Sequence, residues 1–308
     1  MFTRDQYELL DFGEGRRLER LGSLVLDRFS PNTIDLKRKN FPVWNQADAV
    51  FVVDAKNDSE RGYWKSLTEA GRHIFGHLKQ NGSENSKPWT ITHDKIVFEL
   101  KGTSFGHVGL FPEQAENWDT IATLCRTFSQ QPSQQLKILN LFAYTGGSTL
   151  AAAVGGAEVT HVDSARNIVS WGRKNAELSG LSDAPIRWIT EDATKFVRRE
   201  KKRGSLYQGI ILDPPSYGHG AKGEVWRLSK QLPGLIADCF AILDFRGFLL
   251  LTCHTPGFTL QKLTDLVVRQ SRNQFPNNNA RVVPKQLKIR SSTGAFLDSG
   301  ESVLWENC

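Results

Sequence analysis

The stretch KILNLFAYTGGSTLAAAVGG, residues 137–156, decides how the chain is read. Ile138, Leu139, Leu141 and Phe142 form an apolar run that meets Tyr144-Thr145-Gly146-Gly147, and a small, Ala-rich helical segment follows. Buried strand, glycine turn and helix in this order are how an α/β sheet builds a nucleotide site at a strand's carboxyl end.

Downstream, strands and helices alternate. Strands are expected near 137–142, 157–162, 185–190, 207–212 and 246–252, which implies a mostly parallel sheet covered on both faces. VVPKQLKIR and SVLWE, flanking the turn-rich SSTGAFLDSGE, are expected to close the sheet as an antiparallel pair. Upstream the chain reads as β-rich. YELLDFGEGRRLERLGSLVLDRF carries a hairpin signal at Gly13-Glu14-Gly15, and DAVFVVDA and WTITHDKIVFELKG continue the pattern, the latter turning at His93-Asp94. NGSENSKP (81–88) reads as a loop and QQPSQQ (130–135) as a linker, with a helical period across GLFPEQAENWDTIATLCRTFS between them. A small N-terminal β-rich domain over 1–112 and an α/β domain over 113–308 are expected.

At 308 residues and 39% hydrophobic, the chain can bury a core and lacks the composition of a disordered protein. No apolar run is long enough to span a bilayer, and MFTRDQYELLDFGEG is too polar for a signal peptide, so a cytoplasmic protein is expected. Cys125, Cys239, Cys253 and Cys308 form no CxxC pair, and the histidines form no HExxH group, so no metal site is expected. Much of the net charge of +6 sits in Lys37-Arg38-Lys39 and in Arg198-Arg199-Glu200-Lys201-Lys202-Arg203. Such clusters suit a phosphate backbone, or are solvated helix ends.

A dehydrogenase would show GxGxxG after its first strand; only Gly146-Gly147 stands here, with little sign of a pyrophosphate cradle. Sixteen residues past Gly147, Asp163 ends the next strand, where an acid can accept from ribose hydroxyls. Asp192 ends the third, where its carboxylate and the neighbouring Ala193 amide can read an adenine edge. Each acid could instead be a helix N-cap. Together at successive strand ends they fit an adenosine that needs no diphosphate.

The fourth strand delivers Asp213-Pro214-Pro215-Ser216-Tyr217-Gly218 to the same rim. The prolines fix φ and hold carbonyls in set directions, able to accept from an exocyclic amine, while Tyr217 offers a stacking face to a flat base. Forty residues on, the fifth strand ends at Cys253. On a neighbouring strand it would share a pocket with Asp213, and a thiolate there can add to C6 of a pyrimidine and activate C5. A buried structural cysteine is the alternative.

NLFAYTGG, Asp163, RKNAELSGL with Asn175, EDATKF and DPPSYG resemble the S-adenosylmethionine-dependent ribosomal RNA methyltransferases, in particular the large-subunit cytosine-C5 methyltransferase I and guanine methyltransferase K group. The resemblance covers residues 105–260. It implies a class I methyltransferase fold, a Rossmann-like seven-stranded sheet, behind the small β-rich domain, with S-adenosyl-L-methionine as cofactor and RNA as partner. It places the turn from Phe142 through Tyr144, Thr145 and Gly146 against the methionine part of the cofactor. Asp163 holds the ribose, and Asp192 and Ala193 the adenine. Asp213 lies beside the sulfonium and the target base. Asn140, Ala165 and Asn175 join the cofactor residues, and Gln114, in GHVGLFPEQAENW, is expected near them. Pro214, Pro215 and Tyr217 are expected to bind substrate, and Asp213 and Cys253 to be catalytic. The cytosine-C5 members carry Ser-Cys-Ser where this chain has Thr252-Cys253-His254, and methyltransferase I has an N-terminal RNA-binding domain without counterpart here.

Transfer to cytosine C5 through Cys253 is slightly favoured. Transfer to a base nitrogen through DPPSYG, a substrate other than RNA, and a cofactor-binding module without catalysis stay open.

Overall fold

The computed structural model describes residues 2–54, 61–76, 88–129, 135–219, 225–277 and 279–307. The chain divides into two compact units, Met1–Ala115 with Lys288–Asp298, and Glu116–Leu287 with Ser299–Cys308.

The first unit is built on β1 (Tyr7–Gly13), β2 (Arg16–Leu21), β3 (Leu24–Phe29), β4 (Ala49–Val53) and β5 (Gly62–Ser66), paired in that order in one sheet. The hairpin expected at Gly13-Glu14-Gly15 joins β1 to β2, with Gly13 opposite Arg16. A short helix α1 (Glu69–Phe75) starts at Thr68, whose hydroxyl caps the Gly71 amide. The pair β6 (Thr90–His93) and β7 (Ile96–Glu99) turns through Asp94, whose φ of 50° lies in the left-handed region that Asp tolerates. Within this unit Glu19 is fully buried between Arg17 and Arg28, at 3.2 and 3.4 Å, and accepts from the Tyr7 hydroxyl at 2.8 Å. The proposed loop at 81–88 and linker at 130–135 fall almost wholly outside the described residues.

From Glu116, within α2 (Ala115–Ser129), the second unit continues as β8 (Lys137–Leu141), α3 (Gly147–Val154), β9 (Glu158–Asp163), α4 (Arg166–Leu178), β10 (Ile186–Thr190), α5 (Ala193–Arg203) and β11 (Tyr207–Leu212). Then come the short pair β12 (Tyr217–His219) and β13 (Val225–Arg227), α6 (Leu228–Phe240), β14 (Leu243–Cys253), α7 (Leu260–Gln274), β15 (Arg281–Arg290) and β16 (Phe296–Asn307). The seven strands of its sheet run in the order β10-β9-β8-β11-β14-β16-β15. The first five are parallel, and β16 joins β14 antiparallel, as the alternation and the C-terminal strand pair predict. Parallel strands covered on both faces are apolar throughout; β11 is buried at every position. Leu139, Leu141, Ile210, Leu212, Leu249 and Leu251 form one core with Leu232, Ile236 and Phe240 of α6 and Leu263 and Val267 of α7.

The strand order reverses between β8 and β11. Chain leaving β8 turns toward β9, and chain leaving β11 turns toward β14. Such a switch point opens a crevice at the strands' carboxyl ends, where the 142–146 turn and Asp213 emerge.

Candidate active site

The turn after β8 is held in an unusual conformation. Phe142 and Tyr144 have φ of 55° and 49°, and Gly146 has φ of 91° at the N-cap of α3. For Phe and Tyr that region costs roughly 1–3 kcal/mol each and persists only where the surroundings impose it. The struts are identifiable. The Ala143 amide donates to the Val162 carbonyl at 3.1 Å, and the Gly146 amide to the Ala143 carbonyl at 3.0 Å. The Tyr144 amide donates to Asp163 Oδ2 at 3.0 Å. From α4, the fully buried Asn175 donates through Nδ2 to the Thr145 carbonyl at 2.9 Å.

Asp163 therefore does more than end a strand. Its Oδ1 accepts from the Ala165 amide at 2.9 Å, so the acid also fixes the first residues before α4. Burial pushes its carboxyl above the usual value, against the amides of Ala165, Tyr144 and Ser164, which favour the ion. It is not a helix cap: Ala165 is the N-cap of α4, without a side-chain bond. Asp192, by contrast, is one; its Oδ1 accepts from the Lys195 amide at 2.9 Å at the start of α5. Ala193 is buried behind it.

Asn140 is not brought to the open side of the rim. It is 2% exposed, and its Nδ2 donates to Thr149 Oγ1 at 2.9 Å; that hydroxyl in turn contacts His161 Nδ1 at 2.9 Å. The carboxamide is spent on pinning α3 to the sheet. Gln114 closes a short 3-10 turn, Pro112–Gln114, and is buried within the first unit.

Past β11, Asp213 is half-buried, Pro214 buried and Pro215 and Ser216 exposed, while Tyr217 is 52% exposed. Contacts from β13, α6 and the loop after β14 organise this strip. Trp226 on β13 donates its indole N–H to the Pro215 carbonyl at 2.7 Å and packs its ring 5.1 Å from that of Phe142. The Ser216 carbonyl accepts from the Leu228 amide at 3.1 Å. Each of these carbonyls is thus fixed in direction by one donor, with a second lone pair left on each oxygen. His254 lies 3.4 Å from Asp213 Oδ1 through Nε2. The Ser216 and Thr255 hydroxyls, 2.7 Å apart, tie this strip to the loop after β14.

Cys253 differs from its expected place. The β11–β14 register pairs Leu212 with Leu251, so Asp213 comes level with Thr252 and the cysteine lies one residue beyond. Its neighbour on the other side is Glu301 of β16. Cys253 is 1% exposed and belongs to the hydrophobic core with Leu263 and Trp305. Burial pushes its thiol up, Asp213 and Glu301 add to this, and Thr255 opposes it. A strand flanked on both sides keeps even its last residue covered.

The larger basic cluster forms a helix end. It closes α5, which starts at the rim and runs back for eleven residues, about 16 Å at 1.5 Å per residue. Arg199 pairs with Glu191 at 2.7 Å, Lys201 with Asp238 at 2.7 Å and Arg203 with Glu200 at 2.9 Å. Cations in the last turn also complement the helix dipole. The last turn of α5 immediately precedes β11 and so lies toward the amino-terminal ends of the strands, whereas Asp213 follows the carboxyl end of β11. Among the described residues no group of three or more His, Cys, Asp or Glu side chains could hold a metal ion. No helix there is long and apolar enough to cross a membrane.

The model of the S-adenosylmethionine-dependent methyltransferases matches residues 80–257, more than half of the chain. The chain belongs to this family. S-adenosylmethionine is therefore its cofactor, and the rim fits it: an imposed turn with a left-handed glycine, an acid at the end of β9 and a second acid just past β10. The chain is 33% identical over 165 residues to the ribosomal RNA large subunit methyltransferase K/L of Hahella chejuensis, covering 53% of this chain and 22% of that protein. It is 29% identical over 189 residues to the ribosomal RNA large subunit methyltransferase I of Aeromonas hydrophila, covering 61% and 45%. It thus spans less than half the length of these two relatives. The SAM-dependent methyltransferase from Agrobacterium tumefaciens superposes with a TM-score of 0.83 at 33% identity, over 98% of this chain and 90% of that one.

Proposed function

We propose that this methyltransferase acts on a base of RNA, ribosomal RNA first, and that the acceptor is a base nitrogen. The observation that carries the choice of atom is a contrast at the rim. Asp213 is half-buried and Tyr217 exposed, whereas the Cys253 thiol is in the core, where burial raises its pKa. The choice of RNA is supported by the two relatives named ribosomal RNA methyltransferases.

S-adenosylmethionine supplies an electrophilic methyl group on a sulfonium, which a nucleophile displaces in line. The chain's own residues would bind and orient. Asp163 would accept from the ribose hydroxyls, since a carboxylate offers about four acceptor sites. Phe142, Tyr144, Thr145 and Gly146 would line the methionine part, with Asn175 and Ala165 fixing the turn and the acid from behind. The Asp192 carboxylate and the Ala193 amide would meet the adenine. Tyr217 would stack on the target base, and Pro214 and Pro215 would fix the strip that presents it. Asp213 would accept from the target amine. Exposed stacking faces of this kind contribute about 1–3 kcal/mol per base.

Cytosine C5 chemistry is the second reading, favoured by the closeness of Cys253 to Asp213 and by the Thr255 hydrogen bonds that ease its ionisation. It requires the loop after β14 to uncover the thiol. The test is tritiated methyl transfer to RNA from cells lacking this protein, followed by digestion to nucleosides. An N-methylated nucleoside is the expected product. 5-Methylcytidine, with a covalent adduct on 5-fluorocytidine RNA, would replace it with the second reading; no transfer to RNA would refute both.

A further inference from the structure

His254 is the side chain at the rim that the family's motifs do not account for. Its Nδ1 lies 2.6 Å from the Ser299 carbonyl oxygen, which can only accept, so Nδ1 carries a hydrogen. That fixes the tautomer. Nε2 is then the titrating nitrogen, and it faces Asp213 Oδ1 at 3.4 Å. Unprotonated, its lone pair opposes the carboxylate; protonated, it forms an ion pair with it.

The seat is built for the imidazole. Gly300 has φ of 131°, and a Cβ there would stand 2.7 Å from His254 Nδ1 and 2.9 Å from the Cys253 carbonyl oxygen. Any other residue would push the ring out. The two partners are similarly accessible, with side chains 32% and 31% exposed, so a substrate and a solvent proton can both reach them.

We propose that His254 is a positioning residue behind Asp213 and the final holder of the proton released on methylation; this rests on the nitrogen reading. As the bond from nitrogen to the methyl carbon forms, the bond from carbon to sulfur breaks and its electron pair stays on sulfur. The methylated nitrogen, now cationic, gives its proton to the Asp213 carboxylate, and this passes to His254 Nε2. The imidazolium then pairs with the restored carboxylate until solvent takes the proton. His254 must therefore start neutral, and the rate must fall as pH is lowered through its titration. The groups that bear on it are Asp213 at the end of β11, the Ser299 carbonyl and Glu301 of β16, and the Cys253 thiol beside it in sequence. The hydroxyl pair Ser216–Thr255 joins the loops on either side.

The experiment is the pH profile of single-turnover methyl transfer to RNA from cells lacking this protein, for the wild type and His254→Gln. Glutamine keeps a polar side chain of similar length but cannot titrate. The expected result is about a hundredfold lower rate at neutral pH, the lower range for positioned proton transfer. The acid limb should be lost, and the affinity for S-adenosylhomocysteine unchanged. An acid limb that persists in the variant overturns the inference. A second measurement needs no substrate: in the free protein, the His254 Cε1–H resonance should titrate at lower pH in Asp213→Asn than in the wild type, because the pairing charge is gone. An unmoved titration overturns it too, and decides alone should His254→Gln not fold. The wild-type product judges the nitrogen reading separately. 5-Methylcytidine removes that reading and the proton step with it. An N-methylated nucleoside made with an unaltered acid limb in the variant removes only the inference.

Discussion

Asn175→Ala tests whether the glycine turn is imposed rather than intrinsic. Asn175, read from the sequence as a cofactor residue, is fully buried and supports the Thr145 carbonyl from behind at 2.9 Å, so its effect on the ligand runs through the turn. Phe142 and Tyr144 hold left-handed φ, together costing at least about 2 kcal/mol, so the turn relaxes once its struts weaken. Leaving a buried carbonyl without its donor costs about 1–3 kcal/mol. If that loss is felt as a smaller population of the competent turn, affinity falls by the same free energy, about five- to 150-fold. Calorimetry with S-adenosylhomocysteine on folded variant and wild type measures it, with urea unfolding as control. Asn175→Asp should fall as far, because a carboxylate cannot donate to the carbonyl. A variant that unfolds earlier in urea yet binds the ligand within twofold of wild type would refute the reasoning, because the turn would then keep its shape unaided.

Asp163→Ala should lose about 1.5–3 kcal/mol of S-adenosylmethionine affinity, the scale of hydrogen bonds to a charged group, and unchanged calorimetric affinity in a folded variant would remove the ribose assignment. Because burial raises the Asp163 carboxyl in the folded chain, its contribution to stability is fullest at low pH and declines as pH rises through the folded value. His161 acts in the opposite sense. Burial pushes it down to about 3, so its contribution is present above the unfolded value near 6.5 and disappears as pH falls from there to about 3, about 5 kcal/mol in all. Urea midpoints from pH 7 to 4 should drop more steeply for the wild type than for His161→Gln, and equal slopes would count against it. Replacing Lys201, Lys202 and Arg203 together by alanine should leave the salt dependence of RNA binding unchanged, since Lys201 and Arg203 are paired within the chain; a shallower slope would show that they release counterions.

What could be read from the sequence was whatever a strand's end dictates locally. The apolar runs at 137–142, 157–162 and 207–212 became β8, β9 and β11 within a residue, and the acids that close β9 and β10 stand where a parallel sheet puts its ligands. The rest depends on tertiary pairing. Asn140 and Phe142 have the same parity, so a simple alternation sends both side chains one way. The strand stops at Leu141, and the positive φ of Phe142 breaks the alternation, leaving Asn140 under α3. Cys253 ends β14, which by itself predicts a rim residue, yet β14 lies between β11 and β16, and the antiparallel partner extends past it. The bonds that shape the site join residues with no local signature: Thr145 to Asn175, Pro215 to Trp226, and Ser299 to His254. A single sequence shows which residues stand at the ends of strands. Their ionisation and their reach depend on what the rest of the chain brings to those ends, and at Asp213 that is a histidine forty-one residues away in sequence.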